Sequence, residues 1–418
     1  MLRVYSTLLS IVSFILTVSG WFSKKMRLFV KGRKNLIQYI SNNRNPKDKI
    51  VWIHAASLGE YEQAVPVIHS LRKDFPSYKI WLTFFSPSGY EIKKNTNKVD
   101  FVSYLPLDTS KNARRFIEAL QPSLAIFVKY EIWPNFLNEL EKQNIPSVLI
   151  AASFRFKQSL FKYPKGFRSK ALFRFNRIGV QNSESLSLLE KIGYTNAVLT
   201  GDTRYDRVID QTKRDNQLTF LDRFCSNARL CIVCGSTWGE DEETLLDFIQ
   251  SAPDDIKFVI APHQIQSNRI KKFRATLQKK SSLWSEHKEA NLEESKVFIL
   301  DTIGYLGRAY AYASIAYVGG AIGTTGLHNI LEPATFGVPV LYGRNTEKHP
   351  EAEQLAQAGG GFFVSDASEV SQILKKLSTD EVYRKVSGKK AIDFIQEQVG
   401  ATEKSMQLLR PYLVIQKN

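Results

Sequence analysis

Several short stretches hold residues able to do chemistry, and each follows an apolar run of strand length. After the run 50–54 come Ala55, Ala56, Ser57, Leu58, Gly59 and Glu60. A strand that ends in small residues and starts a helix puts Glu60 at the carboxyl edge of a sheet, where a carboxylate can take a proton from a hydroxyl. Taken alone, an acid stabilised at a helix start is the simpler reading. After the run 124–128 come Lys129, Tyr130, Glu131, Ile132, Trp133 and Pro134. Both signs of charge beside a tryptophan suit a charged sugar, against an ion pair at a helix start with Trp133 in the core. Glu60 at the same edge favours the former. Arg204, within Gly201 to Asp206, is suited to a phosphate or carboxylate. Gly235 to Trp238, Ala261-Pro262-His263 and Asp301-Thr302-Ile303-Gly304-Tyr305 each close a further run.

The densest stretch follows the run 315–318. It reads Gly319, Gly320, Gly323, Gly326, then His328, Asn329, Ile330, Leu331, Glu332 and Pro333, before a second apolar run at 338–341. This is strand, glycine-rich turn, short helix, strand: one unit of a parallel sheet. Backbone N–H groups at such a turn suit a phosphate, Glu332 suits ribose hydroxyls, and Asn329 suits phosphate or base. The glycine spacing is not the dinucleotide fingerprint, so alone it reads as a tight turn with a helix cap and a solvated glutamate; His328, Asn329 and Glu332 tip it towards a nucleotide or nucleotide-sugar site. His263 and His328 lack metal-ligand spacing and the chain has no Asp-x-Asp triplet. Metal-free chemistry is expected.

These stretches need a scaffold of alternating strands and helices. Apolar runs at 50–54, 80–85, 101–104, 124–128, 148–152 and 178–180 are separated by helical spacing such as 62–75 and 135–143; runs at 230–234, 258–261, 297–300, 315–318 and 338–341 repeat the rhythm. The expected fold is α/β, GT-B: two doubly wound Rossmann-like domains facing a cleft, with an N-terminal membrane anchor. The boundaries are 1–22 for the anchor, 23–210 for an acceptor-binding domain and 211–418 for a nucleotide-sugar domain whose final helix, within 391–412, packs back. The polar stretch 211–223 reads as a linker. At 418 residues with 43% hydrophobic and 23% charged content, the chain can bury two cores. Cys231 and Cys234 read as core of a buried strand rather than as metal or redox chemistry, since positions three apart on a strand face opposite ways.

The formal charge of +16 calls for an acidic partner. Residues 4–21 carry no charge and are followed by Lys24, Lys25, Arg27, Lys31, Arg33 and Lys34, which predicts an uncleaved anchor, spanning or half-embedded, with the rest kept cytoplasmic. The stretch 153–175 interleaves seven basic residues with six phenylalanines and Tyr163 and holds no acid. That suits anionic lipid; single-stranded nucleic acid fits the same pattern, and the upstream anchor decides for the membrane.

Together these blocks resemble the 3-deoxy-D-manno-octulosonic acid (Kdo) transferases of lipopolysaccharide and lipid A biosynthesis, GT-B enzymes of glycosyltransferase family 30, over nearly the whole chain. The most specific motifs are Ala56-Ser57-Leu58-Gly59-Glu60, Lys129 to Pro134 and His328 to Pro333. The resemblance implies transfer of Kdo from CMP-Kdo to a phosphorylated lipid A precursor, lipid IVA, with inversion, without metal or other cofactor, and without nucleic acid as a partner. It implies a location at the inner membrane of a Gram-negative bacterium, on its cytoplasmic face. It makes Glu60 the general base and Glu131 and Arg204 transition-state stabilisers. The CMP-binding residues would be Pro262 and His263, Ile303, Gly304 and Tyr305, and Asn329, Ile330, Leu331 and Glu332. The chain departs from the family pattern at Arg204, His263, Tyr305 and Leu327, where Lys, Arg, Glu and Gly are common; Arg269 is a second candidate for the phosphate. Two other readings remain: a GT-B enzyme on another nucleotide sugar, such as a UDP-sugar transferase or epimerase, and a non-catalytic, membrane-tethered binder of anionic lipid or nucleic acid.

Overall fold

The apolar runs are strands, buried along nearly their whole length. The computed structural model describes residues 2–19 and 21–414. The first sheet holds β1 (Lys49–His54), β2 (Tyr78–Phe84), β3 (Phe101–Tyr104), β4 (Leu124–Val128), β5 (Ser147–Ala152), β6 (Arg177–Val180) and β7 (Ala197–Leu199) in the order β3-β2-β1-β4-β5-β6-β7, all parallel. The second holds β8 (Leu230–Thr237), β9 (Ile256–Pro262), β10 (Ser281–Leu283), β11 (Val297–Ile299), β12 (Ile315–Val318), β13 (Val340–Gly343) and β14 (Gly361–Val364) in the order β10-β11-β9-β8-β12-β13-β14, again parallel. Three strands escape the apolar pattern: β7 and β10, which end their sheets and are short, and β14.

Continuous apolar runs rather than alternating ones follow from helices covering both faces of a parallel sheet. On β1, Ile50 and Trp52 enter one cluster with Trp81 and Phe127, while Val51 and Ile53 enter another with Leu82 and Ile126. The two-residue period is still present, but both faces are dry. On β8, Cys234 joins Leu230 and Ile232 in the core, whereas Cys231 lies against Cys225.

The chain divides into two compact units, one of residues up to Arg207 with those from Val399 on, the other of Val208–Gln398. The stretch 211–223 includes most of the helix Thr219–Phe224, whose Phe220, Leu221 and Phe224 are buried. The helix Ala401–Leu409 belongs to the first unit, where Met406, Leu408 and Leu409 share the cluster of Val51 and Ile53.

The run expected to be an anchor is helical over Leu2–Ser19, a length of about 27 Å at 1.5 Å per residue. No helix among the described residues is long and apolar enough to cross a membrane. This helix touches the first unit with polar and aromatic groups: Ser6 Oγ lies 3.0 Å from Ser110 Oγ, and the Tyr5 ring is 5.0 Å from that of Phe167. Val4, Leu8, Ile11 and Ile15 stay exposed. Of the basic residues that follow, Arg33 is structural, donating to the carbonyls of Phe29, Phe85 and Leu105.

Leu409 is fully buried in that shared cluster. Leu409→Ala is expected to cost about 2–5 kcal/mol, the usual range for a buried leucine truncated to alanine, and to lower the urea midpoint accordingly.

Candidate active site

In the first sheet β1 and β4 are neighbours, yet the chain continues from β1 to β2 on one side and from β4 to β5 on the other. Such a switch point leaves a crevice beyond the carboxyl ends of the two strands, and Glu60 and Glu131 follow those two ends. Glu60 starts the helix Leu58–Asp74, where its Oε2 accepts from Ser57 N at 3.0 Å and from the Ser57 hydroxyl. It closes a capping box, so the simpler reading of this acid is built into the position that the chemical reading also needs.

Glu131 stands on a tighter turn. Lys129 has φ 70°, in the left-handed region a side chain seldom adopts, and its N–H is held by Ile150 O at 2.9 Å. The turn carries Glu131 back so that its Oε2 accepts from Trp133 Nε1 at 2.7 Å and lies 3.3 Å from His54 Nε2. Arg204 is gripped by Asp202, with Nε and Nη2 at 2.8 and 2.7 Å from Oδ2. Its segment is fastened to the helix of Glu60 by Thr203 Oγ1 donating to Gln63 O at 2.7 Å and by Arg207 paired with Glu62 at 2.9 Å. One unit thus carries Glu60, Glu131 and Arg204, each on a braced segment.

The second sheet repeats the device at β8 and β12. At the end of β8 the register shifts between Gly235 and Thr237, and Ser236 has φ 55°. Asp241 holds the two strand ends together: its carboxylate accepts from Trp238 N (2.8 Å), Gly320 N (2.9 Å) and Tyr317 OH (2.7 Å). Burial pushes its carboxyl pKa up, against the pull of those three donors. Gly319 has to be glycine here, because a Cβ would fall 2.6 Å from Asp241 Oδ2 and from Ser236 O.

Beside this junction the rings of Trp238, His263 and His328 stack, with centroids 4.8 Å apart for the first pair and 4.3 Å for the two histidines. Trp238 Nε1 donates to His328 Nε2 at 3.1 Å, which requires a neutral imidazole. Burial, then His263 and His349, push the His328 pKa down to about 4; burial and then Arg269 lower that of His263. Arg269 is already paired with the buried Glu242 at 2.7 Å. In the glycine-rich loop Gly320 N is taken by Asp241, and Leu331 N by Asn329 Oδ1 at 3.1 Å. Asn329 also donates to Glu332 Oε1 at 3.1 Å, so these two residues form one polar pair. Pro262 ends β9 next to His263.

The stretch 303–305 is looser. Ile303 is 83% exposed, Gly304 has φ 98°, and the Tyr305 ring packs on those of Phe220 and Trp284. A cavity of about 770 Å³ in the first unit, lined by Asn144, Asn176, Arg177, Asn196 and Tyr412, opens at the amino edge of the first sheet and touches none of the expected residues. His54 and Asp241 were not singled out from sequence. Their signals are a lone polar residue at the end of an apolar strand, and an acid three residues into a helix start.

Two seven-stranded parallel sheets with polar groups at both switch points make a GT-B-like fold. A solved structure of UDP-GlcNAc 2-epimerase from Neisseria meningitidis shares this fold, with a TM-score of 0.63 and 17% identity over 87% of this chain and 100% of that one. Residues 30–207 match the family described as 3-deoxy-D-manno-octulosonic-acid transferase (kdotransferase). The chain is similar to the 3-deoxy-D-manno-octulosonic acid transferase of Haemophilus influenzae, 29% identical over 98% of each chain, and to that of Rickettsia typhi, 24% identical over 92% of this chain and 84% of the relative. The protein is a glycosyltransferase similar to the Kdo transferases.

Folded His328 takes its proton near pH 4 and the unfolded residue near 6.5. The unfolded chain therefore binds more protons between those values, and stability falls as pH drops from 7 towards 4. Urea midpoints at pH 7, 5.5 and 4.5 should fall more steeply for the wild type than for His328→Gln, which keeps an acceptor for Trp238.

Proposed function

We propose that this enzyme transfers Kdo from CMP-Kdo to a phosphorylated lipid A precursor such as lipid IVA, with inversion and without a metal. The observation that carries this reading is the pair Glu60 and Glu131, which follow the ends of adjacent strands at the first sheet's switch point in a chain similar throughout to Kdo transferases. Glu60 takes the proton of the acceptor hydroxyl as that oxygen bonds to the anomeric carbon of Kdo. The bond from that carbon to the phosphate oxygen breaks at the opposite side, and CMP leaves with the electron pair. One displacement inverts the centre. Glu131 and Arg204 stabilise the transition state, Arg204 by countering negative charge on the donor.

The second unit binds CMP through Pro262 and His263, the 303–305 stretch and Asn329 to Glu332. CMP carries a single phosphate, so N–H donors suffice for its charge and no divalent ion is needed. Because Arg269 is paired with Glu242, we assign the phosphate contact to His263 rather than to Arg269. The Asn329–Glu332 pair offers an acceptor for ribose hydroxyls beside an amide donor.

For the membrane, we propose that the helix Leu2–Ser19 lies in the cytoplasmic face of the inner membrane with Leu8, Ile11 and Ile15 in the acyl boundary. Lys24, Lys25, Arg27, Lys31 and Lys34 would rest on anionic head groups. Exposed Phe156, Tyr163 and Phe173 in the basic stretch offer a second contact. Co-sedimentation with vesicles containing phosphatidylglycerol should be strong for the wild type and weak for Leu8→Ser/Ile11→Ser/Ile15→Ser; equal binding of the two would remove the helix from this role.

The reaction is tested by supplying CMP-Kdo and tetraacylated lipid A precursor and weighing the lipid by mass spectrometry. The wild type should add the mass of Kdo, and the number of increments gives the number of transfers. Glu60→Gln should lower kcat by about 100- to 10,000-fold, the range for a lost general base, with CMP affinity unchanged. No increment from folded wild type points to another nucleotide sugar, and loss of CMP binding in step with the rate removes Glu60 as the base.

A further inference from the structure

We propose that His54 is a positioning residue for Glu131, set in one tautomer by Thr83 and Trp52; this rests on the role given to Glu131 above. His54 is the last residue of β1, and its side chain is wholly buried. The strand is otherwise apolar after its first residue, so a histidine here needs partners for both ring nitrogens. Nδ1 lies 2.9 Å from Thr83 Oγ1 on the neighbouring β2. Nε2 lies 3.3 Å from Glu131 Oε2, beyond the end of β4 on the other side. The histidine therefore bridges the switch point from within the sheet.

The direction of each hydrogen bond follows from Trp52. Its indole N–H can only donate, and it donates to Thr83 Oγ1 at 2.8 Å. The threonine proton then has two acceptors in reach, His54 Nδ1 at 2.9 Å and Ile53 O at 3.4 Å, and the shorter one takes it. With Nδ1 accepting, the imidazole proton sits on Nε2 and faces the carboxylate. Glu131 Oε2 thereby meets two donors, His54 Nε2–H and Trp133 Nε1–H, the latter at 2.7 Å.

The Trp133 bond orients the carboxylate, with His54 Nε2 beside the same oxygen, and leaves Oε1 as the oxygen for a substrate. The rings brace this arrangement. His54 meets Trp133 edge to face at 5.4 Å and 81°, and Trp133 packs on Phe85 at 4.8 Å. The contact at Nε2 is 3.3 Å and poorly aligned, leaving that nitrogen buried without a good hydrogen bond. Catalytic hydrogen bonds tighten in the transition-state complex, so the bond gains most when Glu131 is at work. That makes the expected signature one of kcat rather than KM.

The transfer assay described above tests this with His54→Leu, His54→Gln, Glu131→Gln and the double variant His54→Leu/Glu131→Gln. His54→Leu should lower kcat by about 10- to 100-fold, the usual effect of removing a group that orients a functional side chain, with KM unchanged. His54→Gln, whose amide N–H reaches the position of Nε2–H, should regain most of that loss. In the Glu131→Gln background His54→Leu should cost little more, since both act through one carboxylate. If His54→Leu does not fold, Thr83→Val replaces it, removing the tautomer lock with little change in volume, and a lowered kcat at constant KM is again expected. Equal rates for His54→Leu and His54→Gln, or an undiminished further loss in the double variant, overturn the proposal. Impaired Glu131→Gln with an unaffected His54→Leu does so too, while the role of Glu131 stands. Full activity of Glu131→Gln overturns the role of Glu131 itself.

Discussion

Parallel pairing is the constraint from which the rest of this molecule follows. Parallel strands need long connections, the connections cover both faces, and polar groups gather readily beyond the strand ends. Where the direction of winding reverses, between β1 and β4 and again between β8 and β12, two chain segments part and open a crevice. Glu60 and Glu131 follow the strands at the first reversal, and Trp238 and the Gly319–Gly320 turn those at the second. Sheet order alone accounts for residues far apart in sequence sharing an edge.

An open edge has a cost, because strand ends and helix starts leave donors unpaired. Both units meet it with carboxylates at helix starts. Asp241 satisfies two backbone N–H groups and a tyrosine hydroxyl across β8 and β12; Glu60 satisfies Ser57, Arg204 is held by Asp202, and Asp206 accepts from Gly400 and Thr402 at the start of the last helix. Much of what makes the edge acidic is therefore structural. Glu131 is held differently: Trp133 Nε1 donates to its Oε2 and His54 Nε2 lies 3.3 Å from the same oxygen, so both contacts come from side chains.

The sequence carries the scaffold well because both sheets are buried on two faces, so strands read as unbroken apolar runs with edges displaced by only a residue or two, as at 178–180 for Arg177–Val180 and 338–341 for Val340–Gly343. β7, β10 and β14 were not legible: they are three or four residues long, β7 is largely exposed and β10 is mostly serine. The site was legible as short motifs, not as a network. Glu131 could be read from its neighbours, but its link to His54 and Thr83 depends on strand order, which no local spacing encodes. Arg269 shows the opposite failure. It looked available to a phosphate in sequence, yet Glu242, 27 residues away, already occupies it.

The N-terminal helix brings the same logic to the surface. Leu8, Ile11 and Ile15 are exposed and do not hold it to the first unit; Tyr5 and Ser6 do. Tyr5 hydrogen-bonds to Asp108, and Ser6 reaches Ser110 and Asn135. Asp108 also accepts from the N–H groups of Asn135 and Phe136, at the start of the helix Pro134–Lys142 that leaves the Glu131 turn. Burial pushes its carboxyl up to about 7 against these donors. One buried acid thus joins the segment with the most exposed apolar surface to the turn that carries Glu131. A polar attachment keeps Leu8, Ile11 and Ile15 exposed and still ties the helix to the start of Pro134–Lys142.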